Sequence, residues 1–473
     1  MILRRNNLFA FLGVAWMAWP SLAAPELTLE DVLGSSLKHY PQILESKAAI
    51  DAQRGAVTAS QGIFDLELNN DSYARPAGFY NGRITDTRLE KRLEGTNTRV
   101  YGGYRVAEGD FPIYEDKLFT NDGGEFSLGA MFSLLRNRAI DEERFTLMNN
   151  ELQLNATELD LLLTKIAVQH QAMQAYAKWL AAGLIVEVRR DLLTIAEERQ
   201  NALTQRATRG DVANIFVTEN KQYIFDRRGK LNEAEREFIN AANQLSLFWR
   251  DEKGQPAVPS IDALPKRIPV LARPGENLEE GEIFNAIAAR PEFGVLDASI
   301  AQEKNRLALG ENRLMPKVDV GVETARDFGD GSPTRDETEG MVKLNVSIPL
   351  QRRAGEGLVS QAKAKLKALE YERRLMDDRI RAEIRSILAD IIAADQNVTL
   401  AEQEVQVALT MQQAEQERFT SGASDFFVIN LREDNVANAR IKKAESLLTL
   451  FRSLANYYAA TVNLEQLRIA EAR

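Results

Sequence analysis

The chain repeats itself. Near residue 40, Tyr40-Pro41 opens an apolar-periodic run through Ile50 to Val57, which leads into the alternating stretch Phe64-Asp65-Leu66-Glu67-Leu68-Asn69. Arg290-Pro291 opens a second run from Phe293 to Leu309, followed by Met315-Pro316-Lys317-Val318-Asp319-Val320. Pro291 stands 250 positions after Pro41, and Ile300 stands 250 after Ile50, so the register holds through the helix and slips only at the strand. Each copy continues through a second alternating strand, a very long helical stretch, a Gly break and another helix. Duplication of a whole strand-plus-helix unit implies an architecture assembled from pseudo-equivalent parts around an axis, which disfavours most enzymes.

The period of the apolar positions sets the expected elements. The first repeat, 27–250, is expected to hold a helix, strands at about 63–73 and 126–135, a long helix 137–206 and a helix 213–250. A connector, 251–277, follows, in which Pro256, Pro259, Pro265, Pro269 and Pro274 leave no room for a helix. The second repeat, 278–468, is expected to hold a helix, strands at about 317–325 and 340–350, a long helix 357–420 and a helix 424–465. From Leu358 through Ala362, Leu366, Leu369, Met376, Ile380, Ile384, Ile387, Ile391, Val398, Ala401, Val405 and Ala408 the apolar steps are three, four or their sum. At 1.5 Å per residue that stretch runs roughly 90 Å, and its narrow seam is coiled-coil-like. The partner stretch 137–206 is broken only by Gly183.

Each long helix ends in a similar break. Arg206-Ala207-Thr208-Arg209-Gly210-Asp211 and Arg418-Phe419-Thr420-Ser421-Gly422-Ala423 place Gly at the end of a helical pattern, followed by cap-type residues (Asp211 or Asn214; Ser424 or Asp425). Both read as helix, tight turn, helix. On this local pattern alone they serve equally as two plain αα-hairpins.

The strands alternate strictly. Phe64, Leu66 and Leu68 alternate with Asp65, Glu67 and Asn69; Leu128 and Phe132 share a parity on the second strand; Val318, Val320 and Val322 alternate with Asp319 and Glu323; Val342, Leu344, Val346 and Ile348 alternate with Lys343 and Asn345. Such a sheet has one apolar and one polar face. In a soluble sandwich the apolar face meets a core, and in a membrane barrel it meets lipid while the polar face lines water. The strands are few, far apart in sequence and flanked by helices too long to cover them, which favours the barrel. The first repeat carries a longer insert, about 73–125, with Arg99-Val100-Tyr101-Gly102-Gly103-Tyr104, whose strands the pattern does not place.

Residues 1–23 read as a secretory signal: Arg4 and Arg5, a short apolar core from Leu8 to Trp19, and the small-x-small site Ser21-Leu22-Ala23. That core, roughly 12 residues, falls short of the ~20 that a spanning helix needs. There is no Cys, which excludes disulfides, lipidation at Cys and thiol catalysis. His39 and His170 are the only histidines and lie far apart in sequence, which argues against a zinc centre, and no phosphate-binding Gly loop or Gly-x-Ser-x-Gly elbow occurs. No catalytic, metal or cofactor site is expected. A net charge of −10 argues against nucleic acid as a partner. Trp179 and Trp249 read as packing residues.

Leu27-Thr28-Leu29-Glu30-Asp31 with Tyr40-Pro41, the copy from Glu282 to Val322, Ser347-Ile348-Pro349-Leu350 leading into an Ala-rich helix, and the two Arg-x-x-x-Gly breaks together resemble the TolC-like outer-membrane efflux family, from Leu27 to about Leu464. The resemblance implies a homotrimer in the outer membrane of a Gram-negative bacterium. Each chain would give four strands to a shared 12-stranded transmembrane β-barrel, continued into the periplasm by a long α-helical coiled-coil-like tunnel. It implies a passive conduit in a tripartite efflux or type I secretion system, docked to a periplasmic adaptor (membrane fusion) protein and an inner-membrane pump of RND or ABC type. On that basis Arg206, Gly210, Ile215, Arg418, Gly422, Ser424 and Phe427 are expected to contact the adaptor. Phe64, Leu66, Leu68, Leu128, Phe132, Val318, Val320, Val322, Val342, Leu344, Val346 and Ile348 are expected to face outer-membrane lipid, and Asp65, Glu67, Asp319, Glu323, Lys343 and Asn345 the barrel lumen. Many relatives carry Asp six and nine positions after the second tip Gly, where this chain has Val428 and Leu431, so an acidic constriction is not carried over. The competing readings are a periplasmic adaptor, which predicts one helical hairpin between split β-domains, and a channel-free coiled-coil scaffold, which leaves the strands unexplained.

Overall fold

The computed structural model describes residues 26–274 and 287–469. The expected signal segment 1–23, and the part of the second repeat before residue 287, lie outside the described residues. Helices α1 (Leu29–His39) and α2 (Pro41–Gln61) lead to strands β1 (Leu66–Ala74), β2 (Arg83–Leu93), β3 (Thr98–Glu108) and β4 (Glu125–Ser133). Helices α3 (Glu142–Thr208) and α4 (Asn214–Leu245) follow. After the connector come α5 (Pro291–Arg313), β5 (Lys317–Asp327), β6 (Glu339–Ser347), α6 (Arg353–Thr420) and α7 (Phe426–Ala460).

Local chemistry fixes the boundaries. Thr28 and Asp31 form a capping box at α1: the Asp31 amide donates to Thr28 Oγ1 at 3.2 Å and the Thr28 amide to Asp31 Oδ2 at 3.1 Å. Pro41 and Pro291 each occupy the first turn of α2 and α5, behind extended residues Tyr40 (φ −71°) and Arg290 (φ −69°). The long helices, 67 and 68 residues, each run roughly 100 Å at 1.5 Å per residue. The first begins at Glu142, five residues later than its periodicity suggests. Asn137 sits in the left-handed region (φ 67°), cross-bonded to Asn312, and Asp141 caps the helix by accepting from the Arg144 amide at 2.8 Å. Gly183 does not break the helix. Leu264 of the connector packs where its Cβ would stand, so the glycine admits the connector rather than ending the turn.

The main core lies where α1, α3, α4 and α7 meet the connector, with Tyr176, Trp179, Met173, Leu245 and Tyr458 fully buried. Tyr176 donates its hydroxyl to the Leu27 carbonyl at 3.0 Å, and Tyr458 donates to the Ala272 carbonyl, so the start of the described chain and the connector are each pinned to a helix. Burial pushes the Tyr458 phenol up to about 12, which keeps it a donor. Down α6 the seam Ile380, Ile384, Ile387, Ile391, Ala394, Val398, Ala401 and Val405 is buried.

The strands form one antiparallel sheet in sequential order β1 to β6. Six strands among the described residues replace the expected four. The insert supplies β2 and β3, joined by a tight turn at 94–97 and in register from Arg83↔Glu108 to Leu93↔Thr98. β1 begins at Leu66 because Gly62–Phe64 is a 3-10 turn, so neither Phe64 nor Asp65 lies in a strand. β6 ends at Ser347, one residue before Ile348.

Candidate functional site: an inverted sheet and two helical tips

Cross-strand register sorts the sheet residues into two faces. Val320 pairs with Phe132 and with Leu344, Val322 with Val342, Val318 with Val346, and Leu68 with Leu89. With Leu66 and Leu128 these residues make one face. Asp319 pairs with Asn345 and with Ser133, Gly321 with Lys343, Glu323 with Gly129, and Glu67 with Glu90, making the other. On the central strands the polarity is reversed from that of a water-soluble sheet. Phe126, Leu128 and Val322 are exposed, while Ser127, Asp319 and Asp327 are buried. Apolar side chains out and polar side chains in is the pattern of a barrel wall whose concave side holds water. Phe64 departs from its expected role: it is buried in the 3-10 turn below the sheet and cannot meet lipid. Asp65 follows it in that turn's C-cap, outside the polar face of the strands.

The polar face is laced together by charge. Tyr101 donates to Glu323, which also takes Lys343 Nζ at 3.0 Å. The Arg88 guanidinium lies 5.0 Å from the Tyr101 ring centre. Arg99 pairs with Glu90 at 2.8 Å, Arg105 with Glu125 at 2.7 Å, and Ser133 donates to Asp319 at 2.7 Å. Arg88, Glu90, Arg99, Tyr101 and Arg105 belong to the insert, and the alternation of the outer strands alone does not reveal them. Their signal was the period-two run of charges on 86–92 and its mirror on 99–105.

At the far end of the helices the two breaks have one geometry. Gly210 (φ +83°) and Gly422 (φ +76°) both adopt the left-handed conformation. The Asp211 amide donates to the Arg206 carbonyl at 2.9 Å and Gly210 to Ala207 at 3.0 Å; Ala423 donates to Arg418 at 2.8 Å and Gly422 to Phe419 at 3.1 Å. These are paired Schellman turns. Asp425 caps α7 by accepting from the Val428 amide at 2.9 Å, whereas α4 starts behind Ala213, so neither Asp211 nor Asn214 is its cap. The tips stand side by side, with the Phe216 and Phe426 rings 6.2 Å apart. Arg206, Gly210, Ile215, Arg418, Gly422 and Phe427 are exposed and Ser424 is half-buried. Val428 is half-buried and Leu431 exposed.

Behind the tips lies a buried ionic cluster that periodicity does not reveal. Arg227, 1% exposed, donates to Glu433 Oε2 at 3.1 Å and Asp434 Oδ1 at 3.2 Å, and through its other nitrogen to the Leu192 carbonyl at 3.1 Å. Arg199 pairs with Glu433 and donates to Asn430 Oδ1 at 2.9 Å. Three helices, α3, α4 and α7, are thereby tied together.

No protein-family model matches the chain, and no curated protein matches it in sequence. Solved structures do. The outer-membrane channel OprN superposes with a TM-score of 0.65 at 15% identity over 92% of this chain and 89% of its own. The chain has the fold of an outer-membrane channel. The outer membrane protein VceC from Vibrio cholerae gives 0.63 at 14% identity over 92% and 95% of the two chains. The Campylobacter jejuni CmeC outer membrane channel gives 0.62 at 12% identity over 99% and 98%. The likeness thus covers most of the chain.

Proposed function

We propose that this protein is the outer-membrane channel component of a tripartite efflux or type I secretion system in a Gram-negative bacterium. In this reading it is a passive, non-enzymatic conduit whose helices extend into the periplasm. The observation that carries the reading is the inverted sheet. On the central strands an exposed apolar face backed by buried polar side chains has no low-energy place in water, but matches a barrel wall between lipid and an aqueous lumen.

A lone chain cannot complete that barrel. Among the described residues β1 and β6 each have one neighbour, and every residue of both nine-residue strands is exposed. Open edges cannot face hydrocarbon, so copies of the chain must close the ring edge to edge. A second apolar row on α6, Ile392, Leu400, Val407 and Met411, is exposed beside the buried seam and suits the flank of a neighbouring helix pair. We infer a homotrimer built from a tandem repeat, as the matched Pro-led helices, long helices and Schellman turns suggest. A ring of three then has eighteen strands, not the twelve that the resemblance implies, because each chain gives six.

The tip residues, Arg206, Gly210, Ile215, Arg418, Gly422 and Phe427, which are exposed, and half-buried Ser424, are proposed to meet a periplasmic adaptor, itself coupled to an inner-membrane pump of RND or ABC type. Leu66, Leu68, Leu128, Phe132, Val318, Val320, Val322, Val342, Leu344, Val346 and Ile348 are proposed to face lipid, and Glu67, Asp319, Glu323, Lys343 and Asn345 the lumen. The adaptor reading is disfavoured by two helical hairpins beside one continuous sheet. Purified mature protein added to planar bilayers is expected to give discrete ion currents; a protein that stays in the aqueous phase and carries no current would contradict the proposal.

A further inference from the structure

We infer that the β3–β4 segment, residues 109–124, is an inward-folded filter across the outer mouth of the barrel, closed by contacts between its copies around the axis. The inference rests on the channel reading above and adds the part of the chain that sets the size of what passes.

The segment joins the ends of β3 and β4 farthest from the helices. A free loop there would project into solvent. Instead it folds back over the polar face of the sheet. Phe111 packs against Ile84 and Ala107, a directly paired couple on the same face as Asp86, Arg88, Tyr101 and Arg105. Gly82, two residues before Ile84, has no side chain because the Phe111 ring lies 2.6 Å from where its Cβ would stand. Leu118 and Phe119 complete the cluster, with Phe119 edge-on to Phe111 at 5.0 Å. Three anchors hold the fold-back. Thr120 Oγ1 accepts from the Ala107 amide at 3.0 Å, Glu115 pairs with Arg75 across the mouth, and Tyr73 donates to Glu115 at 3.3 Å.

The β5–β6 loop is tied to the same segment. Asn121, itself buried, donates its amide to Asp327 Oδ1 at 3.3 Å and its side chain to Asp336 Oδ1 at 3.0 Å, and accepts from the Ser332 amide at 2.9 Å. Arg335 donates to the Phe119 carbonyl at 2.6 Å. Strand ends from both halves of the chain thus support one inward shelf.

At the tip of that shelf Ile113 and Tyr114 are 91% and 80% exposed. They stand above a face otherwise lined with charge, where lipid cannot reach them. Their occupant is a second copy of the same shelf: once the β1 and β6 edges close a ring, segments folded onto the concave side converge toward its axis. An eighteen-stranded wall encloses a bore about half again as wide as a twelve-stranded one, since diameter grows nearly linearly with strand number. The shelf brings that bore back down at the mouth and selects narrow or extended cargo.

The chain has no cysteine, which makes the test direct. A single Tyr114→Cys variant, oxidised in the assembled protein, is expected to give covalently linked copies, and the Ile113→Ser/Tyr114→Ser variant to raise single-channel conductance about twofold and admit larger polyethylene glycols, because pore diameter governs both. Both positions are exposed, so folding is not at stake. Absence of cross-linking together with unchanged conductance and size cut-off, in a protein that still forms channels, would overturn the filter while leaving the channel standing. A wild-type protein that carries no current would instead overturn the channel reading itself.

Discussion

Glu433 is the residue on which the helical end depends. It is 2% exposed and receives both Arg227, 1% exposed, and half-buried Arg199, so its carboxylate is the main balance for one fully buried and one half-buried cation. Removing one member of a buried pair leaves an uncompensated charge and costs on the order of 3–5 kcal/mol. Glu433→Gln is therefore expected to lower the thermal midpoint in detergent markedly. Arg228→Gln, which breaks a pair whose side chains are 57% and 43% exposed, is expected to shift it little; equal midpoints for the two variants would contradict the assignment. Glu115 gives a second, pH-dependent case. The hydrogen bond from Arg75, aided by its charge and opposed by burial, holds the Glu115 carboxyl below its ordinary range. A depressed value means that the pair supports the closed shelf above the ordinary carboxylate pKa of about 4.3, and that this support fades as pH falls through the lowered value. Conductance should accordingly rise only under acid on the mouth side, and Glu115→Gln should show the raised conductance already at neutral pH; a neutral-pH conductance equal to wild type would refute the latch. Neither residue was legible in the sequence, where each is one carboxylate among many.

At the scale of elements, neighbouring residues on one strand should behave oppositely. Leu344 lies on the exposed apolar face and Asn345 on the polar one. An Arg at the bilayer midplane on a lipid face costs about 2–4 kcal/mol, whereas lumen substitutions mainly tune selectivity. Leu344→Arg should reduce folding into lipid vesicles and Asn345→Arg should not; equal yields would remove the face assignment. Gly422 allows stability and the proposed adaptor docking to be tested apart. Nothing stands within 4 Å of its Cβ position, so Gly422→Leu carries only the left-handed backbone cost of roughly 1–2 kcal/mol. Channels should form while cross-linking to the adaptor is lost. The long helices were legible because a seam such as Ile380 to Val405 repeats at the helical period without Pro or Gly. β2 and β3 were not, because Lys91, Thr85, Thr87 and Gly102 interrupt the apolar face and leave no clean alternation. The start of α3 was hidden for another reason. Apolar spacing continues past Asn137, and only its left-handed backbone, secured by Asn312, delays the helix.

For the whole molecule, the repeat in the sequence implies matched halves, whereas the number of strands depends on the insert between β1 and β4. That asymmetry changes the expected pore. On the polar face the carboxylates Glu67, Asp71, Asp86, Glu90, Glu125, Asp319, Glu323, Asp327 and Glu339 outnumber the cations Arg88, Arg92, Arg99, Arg105, Lys317 and Lys343. A lumen with that balance should favour cations, measurable as a reversal-potential shift in a salt gradient, and anion preference would contradict the lining. Separate copies are proposed to close the open sheet into one barrel. Electron cryo-microscopy of the purified protein in lipid nanodiscs decides the point. Three chains around an axis, with β1 of each paired to β6 of the next and eighteen strands in the wall, is the predicted result. A single chain whose apolar sheet face is covered by its own helices would contradict it.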